Sequence, residues 1–334
     1  MFMLKKLAII NGSNKISGNI MNFKLFSVFL IAISLIIIYI YHNVGTRPDF
    51  VLPRRINQIT AMVLVSFCIA YSSIIFQTIT NNRILTPGVI GFEAVYMYIQ
   101  TVIVFFFGSG SYFITAIPNF FLSVVAMLLF SLLIYNFMFK KDGQNIYFLL
   151  LVGMVLSTMF SSLTSFMHMV IDPSEFWVIQ GRMFASFNNI NNNLLFVSFV
   201  IVVVTFIISI PFIKYLDIIA LGKENAISLG INHKSVSKKL LLIIAVLVSV
   251  STALVGPVTF LGVLVSNLTY QFISTYKHKY ILPVCILITI IAVVGGHYIV
   301  SRVLNFSTTI SIIINFVGGV YFMYLLLKER KHEW

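Results

Sequence analysis

The sequence has 334 residues, of which 59% are hydrophobic and only 9% are charged, and its mean hydropathy is +1.02. A soluble domain usually carries about 25% charged residues, so this composition excludes a soluble enzyme or binding module, a disordered chain and a coiled coil. The formal net charge is +13, which in a membrane protein predicts topology rather than nucleic-acid binding. The sequence therefore predicts an all-α integral membrane protein.

Charge-free stretches mark the candidate spans, because charged side chains are costly in hydrocarbon. Eight long stretches are present, at 25–46, 56–82, 94–139, 143–171, 183–213, 240–276, 280–301 and 303–327. Two of them, 94–139 and 240–276, have 46 and 37 residues, about twice the roughly 20 that one transmembrane helix needs. The first contains a Gly-Ser turn signal at 108–111, and the second contains Gly256 and Pro257, which break a helix. Dividing both stretches predicts about ten transmembrane helices.

The distribution of Lys and Arg sets the predicted topology. Ten helices with both termini in the cytoplasm place all 15 lysines, and 17 of the 22 Lys and Arg residues, on the cytoplasmic side. Residues 1–23 are then a cytoplasmic tail, with Met21 as an alternative start. Residues 24–327 form a single transmembrane domain with a cytoplasmic loop at 214–239, and 328–334 form a second cytoplasmic tail.

The sequence contains no motif for nucleotide hydrolysis or metal catalysis. Around Gly222-Lys223, Asp217 and Glu224 stand where a phosphate-binding loop requires glycine and Ser or Thr. No HExxH, CxxC or GxSxG motif is present, so we predict no catalytic residue and no metal site. Glu93 is the one acidic residue close to a predicted span, which leaves an ion-coupled secondary transporter as an alternative. A membrane-embedded enzyme is a further, weaker alternative.

The loop 214–239 is the longest predicted cytoplasmic connection. Two short helical stretches, roughly 215–221 and 224–229, each end at a glycine, Gly222 and Gly230. A short amphipathic helix of this kind can dock in the groove of a soluble partner. The alternative interpretation is a helical hairpin that rests on the membrane surface.

Several motifs then follow one another in the order typical of one family. They are Leu52-Pro53-Arg54; Gln77, Asn82, Leu85, Pro87 and Gly91; Trp177 and Gly181; Ala220-Leu221-Gly222 with Ser228-Leu229-Gly230; GPVTFLGVLV at 256–265; Leu282-Pro283; and Arg302. From about residue 50 to 325 the sequence resembles the permease subunits of iron–siderophore and cobalamin ABC importers. The GFEAVYMYIQT stretch at 91–101 looks like the subgroup that serves catecholate, petrobactin-like siderophores. Ser266-Asn267 and the stretch 307–311 depart from the family pattern.

The resemblance implies that the 214–239 loop couples the chain to an ATPase. The residues that match the family's coupling segment are Leu221, Gly222, Glu224, Ala226, Ser228, Leu229 and Gly230. In this family the loop lies on the ATPase subunit and transmits its closure. ATP and magnesium are then bound by that partner, and this chain carries no cofactor.

The resemblance also implies a docking surface and a translocation path. Arg54 and Arg302, with the adjacent Arg55, match positions that receive acidic residues of an extracytoplasmic binding protein, and arginine suits bidentate carboxylate binding. Headgroup anchoring is the alternative. The path would follow two polar rows that each share a helix face, Ser157, Ser161 and Ser165 on the fifth span and Thr308, Ser311 and Asn315 on the tenth. Close helix packing by small residues is the alternative here.

These expectations define one transport complex. The chain is predicted to be the permease of an ATP-driven importer of ferric siderophore, which works by alternating access in the bacterial cytoplasmic membrane. Its expected partners are a second permease, identical or homologous, two ATP-binding subunits and a siderophore-binding lipoprotein or periplasmic protein. Nucleic acid is not an expected partner. Cobalamin or haem remains the alternative cargo within the family.

Overall fold

The computed structural model describes residues 2–44, 48–139, 146–188, 190–273, 275–304 and 308–330. Within these ranges the chain forms α-helices joined by short turns, and no strand. The helices are α1 (Phe2–Tyr41), α2 (Pro48–Thr80), α3 (Phe92–Phe107), α4 (Ala116–Phe139), α5 (Ile146–Val170), α6 (Pro173–Gln180), α7 (Asn192–Ile219), α8 (Lys223–Ser228), α9 (His233–Val255), α10 (Leu261–Phe272), α11 (His278–Arg302) and α12 (Ile310–Arg330). Two 3₁₀ turns, Pro87–Ile90 and Tyr112–Ile114, precede α3 and α4.

Seven of these helices are long and apolar enough to cross a membrane, namely α1, α2, α4, α5, α7, α9 and α11. The apolar helices α3 and α12 are shorter, and α10 has only 12 residues, which make about 18 Å at 1.5 Å per residue. A helix is present at each of the ten predicted positions. The structure thus supports an all-helical, multi-pass membrane protein.

Both predicted divisions of the long apolar stretches are confirmed as helix breaks. The helix α3 ends at Phe107, where Gly108 takes a φ of 73°, and α4 begins eight residues later. The helix α9 ends at Val255, and Gly256 takes a φ of 101°. A Cβ on Gly256 would lie 3.1 Å from the carbonyl oxygen of Phe184. This position therefore requires glycine for its conformation and for the close approach of another segment.

Three predicted boundaries differ from the structure. The helix α1 begins at Phe2, so the predicted tail is helical and continuous with the first span. The stretch 215–219 is the end of α7 rather than a separate helix, because the helix continues through Lys214 to Ile219. Thr308 precedes α12, which begins at Ile310.

Side-chain contacts define two ends of the helix bundle. At one end, Arg54, Arg55 and Arg302 bond to backbone carbonyls of the loops between helices, and we call it the arginine end. At the other, Lys24 donates to the carbonyl of Phe272, and α7 ends beside the lysine-rich 214–239 loop. We call this the lysine end. The segregation of the two cation types matches the charge bias predicted for the two membrane sides.

The helix α2 lies at the centre of the bundle. It packs against α7, α9, α10 and α11, and 78% of its most apolar window is buried. Its polar side chains bond to neighbouring helices, as when the Tyr71 hydroxyl meets the Ser209 hydroxyl of α7 at 2.6 Å. By contrast, only 17% of the corresponding window in α5 is buried. The largest uncovered apolar surfaces therefore lie on peripheral helices such as α5.

Candidate functional site

The predicted coupling segment forms a short helix that projects from the lysine end. Its helix α8 is bounded by Gly222 and Gly230, whose φ angles are +97° and +81°. A Cβ at either glycine would meet no atom within 4 Å. Backbone conformation is therefore the reason for glycine at both positions, because residues that carry a side chain rarely adopt these φ angles.

The surface of α8 divides into a buried contact and an exposed apolar group. Ala226 is fully buried, whereas Leu221, Ile227 and Leu229 are 57%, 53% and 61% exposed. The remaining predicted coupling residues, Glu224 and Ser228, are also exposed, and the Ser228 hydroxyl donates to the Glu224 carbonyl at 3.0 Å. The segment thus presents an apolar surface that the chain itself leaves uncovered.

A polar chain fixes the end of α7 next to this segment. The carboxylate of Asp217 accepts the backbone N–H of His278 at 2.8 Å and lies 2.6 Å from its Nδ1. The Nε2 atom of His278 lies 2.8 Å from the Thr78 hydroxyl. These three residues join α7, α11 and α2 at the lysine end. The sequence analysis missed this contact, since the three residues are far apart in the chain.

A second set of hydrogen bonds at the lysine end involves Gln77, a residue of the family motifs, and the Ser266-Asn267 pair. The side-chain amides of Gln77 and Asn267 both donate to the carbonyl of Arg83, at 2.7 and 3.0 Å. Gln77 also donates to the Ser266 hydroxyl at 2.8 Å. The Ser266-Asn267 pair, which departs from the family pattern, therefore still fastens α10 to the turn after α2.

The three arginines predicted to dock a partner have different environments. Arg54 and Arg302 are exposed and make single long contacts, to Asn188 at 3.2 Å and His42 at 3.5 Å. Arg55 is only 7% exposed. Its guanidinium donates to the carbonyls of Tyr39, Ile40, His42 and Asn43, at 2.6–3.2 Å. These are carbonyls at the C-terminus of α1 that lack helical partners.

The role predicted for Arg55 is thus better explained as capping of α1. A guanidinium whose two terminal nitrogens contact four carbonyls inside the protein has little capacity left for a carboxylate from another protein. The proximity to Arg54 in sequence suggested a shared role, but successive residues of a helix point in different directions. Docking stays a prediction for Arg54 and Arg302.

The short helix α6 is attached at both ends to the turn between α3 and α4. Near its start, the Glu175 carboxylate accepts the Ser109 backbone N–H at 2.6 Å and the Ser109 hydroxyl at 3.0 Å. After its end, Arg182 donates to the Gln100 side chain at 2.9 Å and to the Ile114 carbonyl at 2.8 Å. This leaves Trp177 of the family motif 70% exposed at the arginine end.

The predicted translocation path is only partly open in this structure. Ser161 and Ser165 are exposed on α5, whereas Ser157 lies against Gly91. Ser311 is fully buried, and its hydroxyl accepts the backbone N–H of Ala185 at 2.7 Å. Thr308 and Asn315 are partly buried. Ser311 is therefore a packing contact, which the recurrence of small polar residues could not distinguish from a path residue.

The predicted break at Gly256 and Pro257 places a non-helical segment inside the bundle. Val255 accepts the N–H of Ser186 at 2.8 Å, and Thr259 donates to the Glu93 carboxylate at 2.7 Å. Irregular backbone at membrane depth is tolerated where protein or a polar cavity surrounds it. Here the protein surrounds the break, which also borders a small cavity.

The described residues contain no cluster of three or more His, Cys, Asp or Glu that could hold a transition metal. The described residues instead present three surfaces: an exposed apolar helix at the lysine end, exposed arginines at the arginine end, and helices between them that are little buried by the rest of the chain.

Comparison with known proteins agrees with this arrangement. The chain is 53% identical over 302 residues to the petrobactin import system permease protein YclO of Bacillus subtilis, covering 90% of this chain and 96% of that protein. It is 34% identical to the petrobactin import system permease protein FatC of Bacillus anthracis, over 91% and 88% of the two chains.

A solved inward-facing structure of a metal-chelate type ABC transporter shares the fold. Its TM-score is 0.80 at 21% identity, and the match covers 92% of this chain and 99% of that one. The family model for FecCD transport matches residues 20–328. The chain therefore belongs to the FecCD transport family.

Proposed function

We propose that this chain is the membrane permease of an ATP-driven importer of ferric siderophores, with a petrobactin-type catecholate chelate as its cargo. The observation that carries the mechanism is the exposed apolar group of Leu221, Ile227 and Leu229 at the lysine end. A chain without a phosphate-binding loop needs another protein if ATP is to drive it, and this surface suits an ATPase groove. The full-length similarity to petrobactin permeases supports the cargo.

The proposed complex contains this permease and a second one, two ATP-binding subunits and an extracytoplasmic binding protein. We place the complex in the bacterial cytoplasmic membrane, with ten spans and both termini in the cytoplasm. The poorly covered α5 is the surface for the second permease. ATP binding would close the ATPases, move α8 and open the path between the permeases. ATP and magnesium belong to the ATPases, and iron crosses as its chelate.

Uptake of radioactive iron tests the cargo and the energy source. Cells that lack this gene should lose uptake of ferric petrobactin and regain it with the wild-type gene, but not when the partner ATPase carries an inactive catalytic site. Labelled cobalamin, haem and a ferric hydroxamate serve as comparisons. If the gene is needed for uptake of cobalamin or haem but not of ferric petrobactin, the cargo is cobalamin or haem instead. Uptake of iron that survives ATPase inactivation would indicate ion coupling.

The outer arginines give a prediction that separates docking from folding. Arg302→Glu should weaken binding of the loaded binding protein to the purified complex about tenfold or more, because it places a like charge opposite an acidic surface. The melting temperature should stay the same, since Arg302 makes one long hydrogen bond within the described part of the chain.

The matched variant is Arg55→Met. It should lower the melting temperature, because hydrogen bonds to a charged group contribute about 1.5–3 kcal/mol each and four carbonyls at and just after the C-terminus of α1 lose theirs. Binding measured at low temperature should change little. If the two variants exchange these effects, the assignment of capping to Arg55 and docking to Arg302 is wrong.

A further inference from the structure

A small cavity, lined by both apolar and polar residues, lies where the two irregular segments of the bundle meet. It has a volume of about 40 Å³ and is bounded by α2, the segment 86–88, α9 and the break at 256–259. A cavity needs about 10–15 Å³ on this measure to hold one water molecule. This one therefore has room for an ion with one or two waters.

Several oxygen atoms in this cavity have no protein partner. The hydroxyls of Ser73, Thr86 and Thr252 line it, and these residues are 2%, 6% and 6% exposed. None of the three makes a side-chain hydrogen bond with another described residue. Their oxygen atoms are reached from the cavity, so an occupant of the cavity can satisfy hydrogen bonds that would otherwise each cost about 1–3 kcal/mol to leave unmade. Their convergence on one cavity indicates an occupant that interacts with oxygen.

The cavity also contains a carboxylate. Glu93 lines it from the first turn of α3 and accepts one hydrogen bond, from Thr259 at 2.7 Å. Among the described residues, no Lys, Arg or His forms an ion pair with it. The partial positive charge at the N-terminus of α3 compensates for part of the negative charge. An ionisable residue at membrane depth is otherwise costly and is usually functional.

The ligand set identifies the class of occupant. A carboxylate and hydroxyls are hard oxygen donors, and such donors suit alkali and alkaline-earth cations. Carbonyls at the C-terminus of an interrupted helix, as at the end of α9, are a further source of oxygen ligands for Na⁺. One carboxylate neutralises one positive charge, so a monovalent ion leaves the site neutral, whereas a divalent ion would leave excess charge in a low-dielectric region.

We propose that this cavity binds one monovalent metal cation, Na⁺ or K⁺, through Glu93 and the surrounding hydroxyls. The ion would join the start of α3 and the segment before α10 to α2 and α9. This role is structural and does not depend on which chelate the protein transports. It also differs from ion-driven transport, because the ion stays in place while ATP supplies the energy.

Thermal unfolding of the purified complex of both permeases and the ATPases tests this directly. The melting temperature of the wild-type protein is measured in NaCl, in KCl and in N-methyl-D-glucamine chloride at equal ionic strength. A bound ion stabilises the folded state by mass action. We expect the melting temperature to be roughly 3–5 °C higher in NaCl or KCl than with the organic cation, which is too large for the cavity.

Two glutamate variants assign the effect to this cavity. Glu93→Gln keeps the shape of the side chain and removes its charge, and it should abolish the difference between the salts. Glu175→Gln makes the same chemical change outside the cavity and should keep the difference. Equal melting temperatures of the wild-type protein in the three salts would overturn the proposal, as would a salt difference that survives in Glu93→Gln. If Glu93→Gln does not fold, the melting temperatures of the wild-type protein in the three salts still test the proposal.

Discussion

Replacing both Ile227 and Leu229 by glutamate is expected to reduce ferric siderophore uptake at least about 100-fold. These side chains are more than half exposed on α8, and the fold does not need them in its own core. In the proposed complex they enter the ATPase, where buried apolar residues at the centre of an interface each contribute about 2 kcal/mol or more. Two such losses, about 4 kcal/mol together, exceed the roughly 2.8 kcal/mol that corresponds to a factor of 100.

The control for this variant keeps the apolar surface and changes its shape only slightly. Ile227→Leu with Leu229→Met should retain most uptake, because such swaps preserve volume and hydrophobicity. The glutamate variant should reach the membrane in normal amounts and melt at the wild-type temperature, but fail to retain the ATPases during purification. Normal uptake by the glutamate variant would contradict the role of α8 as the coupling helix.

Gly153→Ala in α5 is expected to destabilise the protein and to impair uptake, although alanine favours a helix. A Cβ at this position would lie 2.9 Å from the Cα and the carbonyl oxygen of Ile90. Both are backbone atoms, so no side-chain rotation can relieve the contact. Overpacking of this kind costs about 1–3 kcal/mol, whereas the gain in helix propensity over glycine is about 1 kcal/mol. The cost of overpacking should therefore exceed the gain in helix propensity, and the variant should be less stable than the wild type.

The matched control is Gly295→Ala in α11, another helical glycine. A Cβ there would meet only the end of the Leu35 side chain, at 4.0 Å, so this variant should be neutral or slightly more stable. Melting temperatures of the two purified variants provide the measurement. A Gly153→Ala protein as stable as Gly295→Ala would show that α5 can move away from the 87–90 turn at little cost.

The sequence predicted the helices well because their signals are local. Charge-free stretches mark apolar helices, and glycine marked the breaks at Gly108 and Gly256. The lysine end and the arginine end of the bundle also agree with the distribution of Lys and Arg predicted for the two sides of the membrane. The extension of α1 to Phe2 was missed because residues 11–22 are polar, and polarity argues against a span without arguing against a helix.

The site was harder to predict, because its contacts join residues distant in sequence. Arg55 and Ser311 have the residue types expected for docking and transport, but their partners are backbone groups of other segments. The link of Asp217, His278 and Thr78 had no sequence signal, since it depends on how α2, α7 and α11 pack. The cavity at Glu93 likewise arises from four separate segments.

The contacts of α1 have a consequence for the synthesis of the protein. Its partners belong mainly to α11 and, to a smaller extent, to α2: Tyr39 meets His297 of α11 across 258 positions of the chain, and Lys24 bonds to Phe272 of α10 across 248. While the ribosome adds the intervening helices, α1 stays in the bilayer with most of its surface against lipid. A nascent chain stopped before α11 therefore exposes a first helix that lacks its main partner, which membrane chaperones and quality-control proteases can recognise.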